Sequence, residues 1–192
     1  MSPKPTRSRT ATADLVPAVL DAASRLLQQE GPDALSIRRI ATEAGVAPMS
    51  LYNHFGGKHG IVEALFQRGF EALTTSLRAI EATSAEQRFR TGMRCYRRFA
   101  LDHPAVYAVM FQKLVPDFEP GDEAKAAAAQ TFLELVGCMS QGMAEGVFAA
   151  GDPVATGQLV WGACHGIVAL ELVGIGFVED RDANYESLLE VL

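Results

Sequence analysis

Residues 36–55 read S-I-R-R-I-A-T-E-A-G-V-A-P-M-S-L-Y-N-H-F. Ile37, Ile40 and Ala41 fall on one side of a short helix, and Ser36 in front of them is a good N-cap. Gly45 suits the residue that ends such a helix, and Pro48 suits the first turn of the next one. That next helix runs to about His54, with Leu51 and Phe55 on its apolar side. Two short helices joined through a glycine have the proportions of a helix-turn-helix. Ile40, Ala41, Val46, Leu51 and Phe55 supply a small shared core, which leaves Pro48, Met49, Ser50, Tyr52 and Asn53 facing outward. A polar helix N-terminus suits the DNA major groove and its phosphates. Periodicity alone fits an ordinary helical hairpin with a polar surface equally well.

Outward from this stretch the pattern stays helical. Leu15, Val16, Val19, Leu20, Ala23, Leu26 and Leu27 recur at helical spacing until Gly31-Pro32 stops them. Gly56-Gly57 breaks the chain again, and a fourth helix starts near Lys58 with Ile61, Val62, Leu65, Phe66, Phe70, Leu73 and Leu77 inward. Longer helices follow over 85–102, then a short one to about Phe111 after His103-Pro104. Val115 to Gly121 reads as a loop, 122–150 as a long helix, Gly151-Asp152-Pro153 as a turn and 153–177 as another helix. A last helix carries Tyr185, Leu188, Leu189 and Leu192. No strand is expected, so the fold class is all-α.

Composition narrows the function. With 48% hydrophobic and 21% charged residues in 192, wholesale disorder is excluded. The three cysteines, Cys95, Cys138 and Cys164, make no CxxC pair or Cys/His ligand pattern, so buried free thiols in a reducing cytoplasm are expected. The N-terminus has no apolar run of the signal-peptide kind. The uncharged run Pro153 to Leu170 carries Thr156, Gln158 and His165, so it reads as a buried helix and not a membrane span. Net charge is −6, yet residues 1–60 hold 7 Lys/Arg against 5 Asp/Glu while residues 61–192 hold 10 against 18. A basic front on an acidic body points to a polyanion partner at the front. The chain has no G-x-S-x-G, P-loop or G-x-G-x-x-G, and Cys164 and His165 diverge by about 100° on a helix. No enzyme activity, cofactor or metal is expected.

The run L-S-I-R-R-I-A-T-E-A-G-V-A-P-M-S-L-Y-N-H-F-G-G-K-H-G-I-V-E-A-L resembles the N-terminal domain of TetR-family bacterial transcriptional regulators over roughly residues 12–75. F-A-L-D-H-P-A-V-Y-A-V-M-F and W-G-A-C-H-G resemble the C-terminal domain type named for Trp, His and Gly, here Trp161, His165 and Gly166. The resemblance implies a homodimer with an N-terminal three-helix helix-turn-helix domain and a C-terminal antiparallel helical domain for ligand binding and dimerisation. Its divisions would be a disordered basic arm over 1–13, a DNA-binding domain over 14–57, a connecting helix over 58–82 and the second domain over 83–192. The implied partners are double-stranded operator DNA, a second copy of the chain and a small-molecule effector, with no membrane.

The resemblance puts Arg38 where the second helix reaches a base, and an Arg fork fits guanine; a solvated surface Arg is the alternative. Asn53 and Met49 would read base edges, with Pro48 and Ser50 close by. Tyr52, His54, Lys58 and Ser36 would hold phosphates, although His54 could instead pack on the fourth helix. Ala47 departs from the Ser or Thr of many relatives and offers neither a cap nor a phosphate bond. Lys4, Arg7 and Arg9 of the arm either follow a minor groove or have no defined role.

Helix 153–177 is apolar on two sides, so both sides need cover. Leu159, Gly162, Ala163, Gly166, Leu170, Val173 and Gly174 are assigned to a twofold seam with Tyr185, Leu188, Leu189 and Leu192. Trp161 and His165, with Cys164, Val168 and Leu172, face their own domain. There they are expected to meet Met93, Tyr96, Met110, Phe111, Phe132, Val136, Met139 and Met143, as a plain core or as an apolar pocket in which His165 and Tyr96 orient a mostly apolar ligand. Arg88, Arg90, Arg94, Arg97 and Arg98 are expected to form a solvated face beside acids. The reading is a ligand-responsive DNA-binding repressor. An activator with the same parts, or an all-α binding protein or enzyme that has lost DNA binding, is the alternative.

Overall fold

Ser36 accepts a hydrogen bond from the Arg39 amide at 3.3 Å, so the helix after it starts where its cap dictates. The computed structural model describes residues 12–115 and 118–192. Within them the chain forms α1 (Thr12–Glu30), a 3-10 turn (Pro32–Ala34), α2 (Ile37–Ala44), α3 (Pro48–Phe55), α4 (Lys58–Arg78), α5 (Ala85–Asp102), α6 (Pro104–Phe111), α7 (Asp122–Ala144), α8 (Pro153–Leu172) and α9 (Arg181–Val191). No strand occurs among the described residues, and the fold is all-α as the periodicity indicates. Lys4, Arg7 and Arg9 of the expected arm lie outside the described residues, whereas Thr12 and Ala13 already belong to α1.

Two helices end earlier than their apolar patterns suggest. The helix expected over 122–150 stops at Ala144, and the one expected over 153–177 stops at Leu172. The cause is the same in both. Gly146 and Gly174 take φ values of 73° and 72°, the left-handed region that favours glycine. The amides of Val147 and Ile175 then bond back to the carbonyls of Gly142 and Leu170 at 2.8 and 2.9 Å. This closing motif satisfies carbonyls that a helix end leaves open. The Gly174–Gly176 segment is therefore a helix cap and not helix interior.

α1, α2 and α3 enclose Val19, Leu26, Leu35, Ile40 and Leu51, with α4 as their support. α4 continues into the second half, where α5, α6 and α7 pack on it and α8 and α9 complete the bundle. Arg68 ties α4 to Asp21 of α1 at 2.7 Å, and Arg78 ties it to Glu134 of α7 at 2.7 Å. Gly69 lets α6 approach closely: a Cβ there would lie 2.6 Å from Met110 Sδ and 2.8 Å from Val106 Cγ1.

α9 departs from the sequence expectation. Tyr185 and Leu189 are each 1% exposed and belong to the core of their own chain, not to an outer seam. The Tyr185 hydroxyl donates to the Met93 carbonyl at 2.9 Å, and the Arg97 guanidinium lies 5.2 Å from its ring centre. Arg97 is likewise no solvated residue: only 13% of its side chain is exposed, and it bridges Glu171 of α8 and Asp182 of α9. Arg90, Arg94 and Arg98 pair on the surface with Glu86, Glu186 and Asp102, while Arg88 reaches the Ile80 carbonyl at 3.5 Å. Cys138 and Cys164 are buried and Cys95 is half-buried, all three free.

Replacing Gly69 by Leu should force α4 and α6 apart. We expect a loss of about 1–3 kcal/mol from overpacking, read as a lower urea midpoint at unchanged slope.

Candidate functional site

The front surface is built by α2 and α3. Ser36, Arg38, Pro48, Met49, Tyr52, Asn53, His54 and Lys58 are all exposed, and Ser50 is half-buried. Met49 is 66% and Tyr52 52% exposed, a large apolar surface for residues with nothing of their own chain above them. Among the described residues neither Arg38 nor Lys58 has an acidic partner, whereas the neighbouring Arg39 is tied to Glu30 of α1. Arg38 is thus the guanidinium of the two without an acidic partner among the described residues. His54 is exposed with its ring edge-on to Phe55 at 5.3 Å.

Ala47 occupies the N-cap of α3 with extended angles (φ −76°, ψ 138°) and no side-chain cap bond. In the first turn of α3 the Ser50 amide donates to the Ala47 carbonyl at 2.9 Å and Pro48 has no amide to offer, so the Met49 amide is the one left without a side-chain cap.

A second feature lies in the back half. Helices α4 to α8 surround a cavity of about 370 Å³. α4 contributes Phe66, Phe70, Leu73 and Leu77; α5 Met93 and Tyr96; α6 Met110 and Phe111; α7 Ala128, Thr131, Phe132 and Leu135; α8 Gln158 and Trp161. Of the residues expected at a pocket, Met93, Tyr96, Met110, Phe111, Phe132 and Trp161 come together on this wall. Four do not. Val136 packs on Gly157, where α7 meets α8. Met139 and Met143 share the face of Leu135, but one and two turns further along, which at about 1.5 Å per residue carries them past the end of the cavity. Met139 is 1% exposed and Met143 reaches towards Gly151. His165 stands behind the wall, bonded to Tyr96.

The α4 residues were visible in the sequence as an apolar row but nothing there marked them as cavity wall. Phe66, Phe70, Leu73 and Leu77 continue one stripe from Val62 at helical spacing, distinct from that of Ile61 and Leu65; that double stripe was the available signal.

Behind the wall is a hydrogen-bonded cluster. Trp161 Nε1–H donates to the Tyr96 hydroxyl at 3.3 Å. The Tyr96 hydroxyl lies 3.0 Å from that of Tyr107 and 2.8 Å from His165 Nδ1, and the Tyr107 hydroxyl lies 2.7 Å from the same nitrogen. Burial pushes His165 below its ordinary value, which favours the neutral ring. With its proton on Nε2, the ring accepts at Nδ1 and the hydroxyls pass donation along from Trp161. Burial raises both tyrosines, Tyr107 to about 12, so neither ionises near neutrality.

The outer face of α8 is apolar and open. Leu159 is 75% exposed, Leu170 and Val173 are exposed, and a Cβ at Gly162 or Gly166 would meet no atom within 4 Å. Ala163 and Leu188 are half-buried, and Gly174 and Leu192 are exposed.

Two predictions come from this geometry. Ala47→Ser should cap α3 and raise the stability by about 0.5–2 kcal/mol, measured by thermal unfolding. The lowered His165 value has a defined sign. The unfolded chain binds the proton more readily, so stability is lost as pH falls from about 6.5, the unperturbed value, towards the lowered folded one. His165→Gln should flatten that part of a stability-against-pH curve.

Comparison with known proteins agrees with the architecture. Residues 89–192, more than half of the chain, match the family model of the tetracyclin repressor-like C-terminal domain, and residues 19–65 match that of the bacterial regulatory proteins of the tetR family. The HTH-type transcriptional regulator Rv0681 of Mycobacterium tuberculosis (strain ATCC 25618 / H37Rv) is 26% identical over 177 residues, covering 90% of this chain and 77% of its own. A solved protein of unknown function from Rhodococcus sp. RHA1 superimposes with a TM-score of 0.79 at 27% identity, over 99% of both chains. FadR of Bacillus subtilis, solved in complex with stearoyl-CoA, shares the fold with a TM-score of 0.73 at 19% identity, over 91% of this chain and 95% of its own. Among the described residues no helix is long and apolar enough to cross a membrane. A helix-turn-helix in front, a helical bundle behind and family models matching both halves lead to one conclusion: the chain belongs to the TetR family of DNA-binding transcriptional regulators.

Proposed function

We propose that the protein is a homodimeric repressor that binds a near-palindromic operator and leaves it when a mostly apolar small molecule fills the cavity. One observation carries this reading: α4 starts with Lys58 at the exposed front surface and, further along, forms a cavity wall with Phe66, Phe70, Leu73 and Leu77. A ligand that reshapes the cavity pushes on the helix that supports α3. α6 is a second link, since Met110 and Phe111 line the cavity while the same helix packs on α1 and α4. Ligand and DNA then favour different spacings of the two front domains, and each weakens the other by the same factor.

In this reading the residues before α1 are a basic arm, those from α1 to 57 read DNA, 58–82 connect and 83–192 bind ligand and dimerise. Arg38, Met49 and Asn53 face base edges, with Pro48 and Ser50 beside them, and Ser36, Tyr52, His54 and Lys58 hold phosphates. The open α8 face supports an isologous seam of Leu159, Gly162, Ala163, Gly166, Leu170, Val173 and Gly174, joined by Leu188 and Leu192. The acyl chain of the stearoyl-CoA in the FadR structure of Bacillus subtilis supports an effector with an apolar tail, and the tetracyclin repressor-like family model supports repression. The site of action would be the cytoplasm, where the DNA is.

The test is selection of bound sites from random DNA at low salt. The recovered sequence should be an inverted repeat with half-sites about 34–36 Å apart, or a multiple of one turn. Arg38→Ala should relax one position at a cost of about 1–3 kcal/mol, while Lys58→Ala should weaken all sequences alike and reduce the salt slope by about one. Light scattering should give twice the 20.6 kDa chain mass. Absence of sequence-selective binding would end the repressor reading.

A further inference from the structure

The polar groups around the cavity are nearly all taken. The Tyr96 hydroxyl is engaged by Trp161, Tyr107 and His165. The Thr131 hydroxyl lies 2.6 Å from that of Thr74, and 3.2 and 3.3 Å from the carbonyls of Ala127 and Phe70. No buried side-chain nitrogen or oxygen among the described residues lacks a partner. Gln158 is different. It lines the cavity, it is exposed, and among the described residues its amide has no hydrogen bond. No charged side chain lines the wall.

We propose that the effector is an apolar molecule with a single uncharged head group that both donates and accepts, of the carboxamide class, and that it enters tail first and leaves this head at Gln158 on the rim. The inference rests on the ligand-released repressor reading above and names the ligand class of that site. A carboxylate left at the rim meets no counter-charge on this wall and can only accept, so it uses the Gln158 NH2 and sets its charge against the Gln158 carbonyl. A polar group placed deeper meets only atoms that already have partners, and gives up its water without replacement. At the rim the Gln158 side chain offers one carbonyl and one NH2, so a carboxamide can pair with it in both directions. The cavity of about 370 Å³ has room for a short apolar tail. Tyr96 and His165, the residues expected from the sequence to orient a ligand, are then scaffold: they keep the Trp161 wall in place.

Trp161 is the single tryptophan of the chain and lines the cavity, so its emission reports occupancy directly. The full chain is titrated with octanamide and with sodium octanoate at pH 8, followed by Trp161 fluorescence and by release of a preformed operator complex. Octanamide should bind at least about tenfold more tightly than octanoate. Gln158→Leu, at an exposed position, should bring the two ligands within about twofold of each other while the unfolding temperature stays unchanged. Octanoate binding as tightly as octanamide, or a preference that survives Gln158→Leu, overturns the head-group assignment and leaves the cavity intact as a ligand site. Binding of octanamide with the expected preference but without DNA release upholds the assignment and overturns the switch. No response of Trp161 to either ligand at millimolar concentration overturns the cavity as the effector site, and this inference with it.

Discussion

Everything in this chain depends on one helix being shared by two cores. α4 is 21 residues long, about 30 Å at helical rise, and packs in both halves of the chain. Its first turns complete the packing of α1, α2 and α3. Its later turns give one stripe to the cavity and an adjacent one, through Gly69, to α6. Arg68 pins its middle to α1 and Arg78 pins its last residue to α7. A helix so held joins the packing of the front helices to the wall of the cavity. The front surface and the cavity therefore share one helix, although they lie in different parts of the sequence.

The back half achieves rigidity by another device. Arg97 is a half-buried cation that gathers Glu171 and Asp182, and with them α8 and α9, onto α5. Tyr185 under it adds a hydroxyl bond to the Met93 carbonyl on that same helix. The cavity thus has a fixed outer frame made by charge and hydrogen bonds, and a soft inner lining that includes Met93 and Met110. Adaptable thioethers inside a stiff frame allow the lining to follow a ligand without loosening the bundle.

Helix identity was largely legible in the sequence, because the 3.6-residue period of the apolar residues survives any tertiary detail. The front surface was legible too, since Ser36, Gly45 and Pro48 mark the helix ends and the outward residues follow by geometry. The errors share a physical origin. Gly146 and Gly174 look like small residues of a helix face until their backbone angles are known. Tyr185 and Leu189 have the same spacing whether they meet a second chain or α5; only the turn made by residues 173–180 decides between them. Met139 and Met143 have the right direction for the cavity, but its height along α7 is set by where α4 and α5 cross it, which no local pattern encodes. The α4 wall was unread because a helix with two apolar stripes does not say which neighbour each one serves.

The mutual satisfaction of Trp161, Tyr96, Tyr107, His165, Thr74 and Thr131 has a thermodynamic consequence. Water inside a cavity is held by polar groups with bonding capacity to spare, and this wall has almost none to lend. Water there is poorly coordinated compared with the bulk. Its return to solvent recovers hydrogen bonds, so filling the cavity releases heat at room temperature instead of relying on entropy, as occurs for poorly hydrated apolar pockets. The heat capacity still falls as apolar surface leaves water, so the enthalpy of binding grows more favourable on warming.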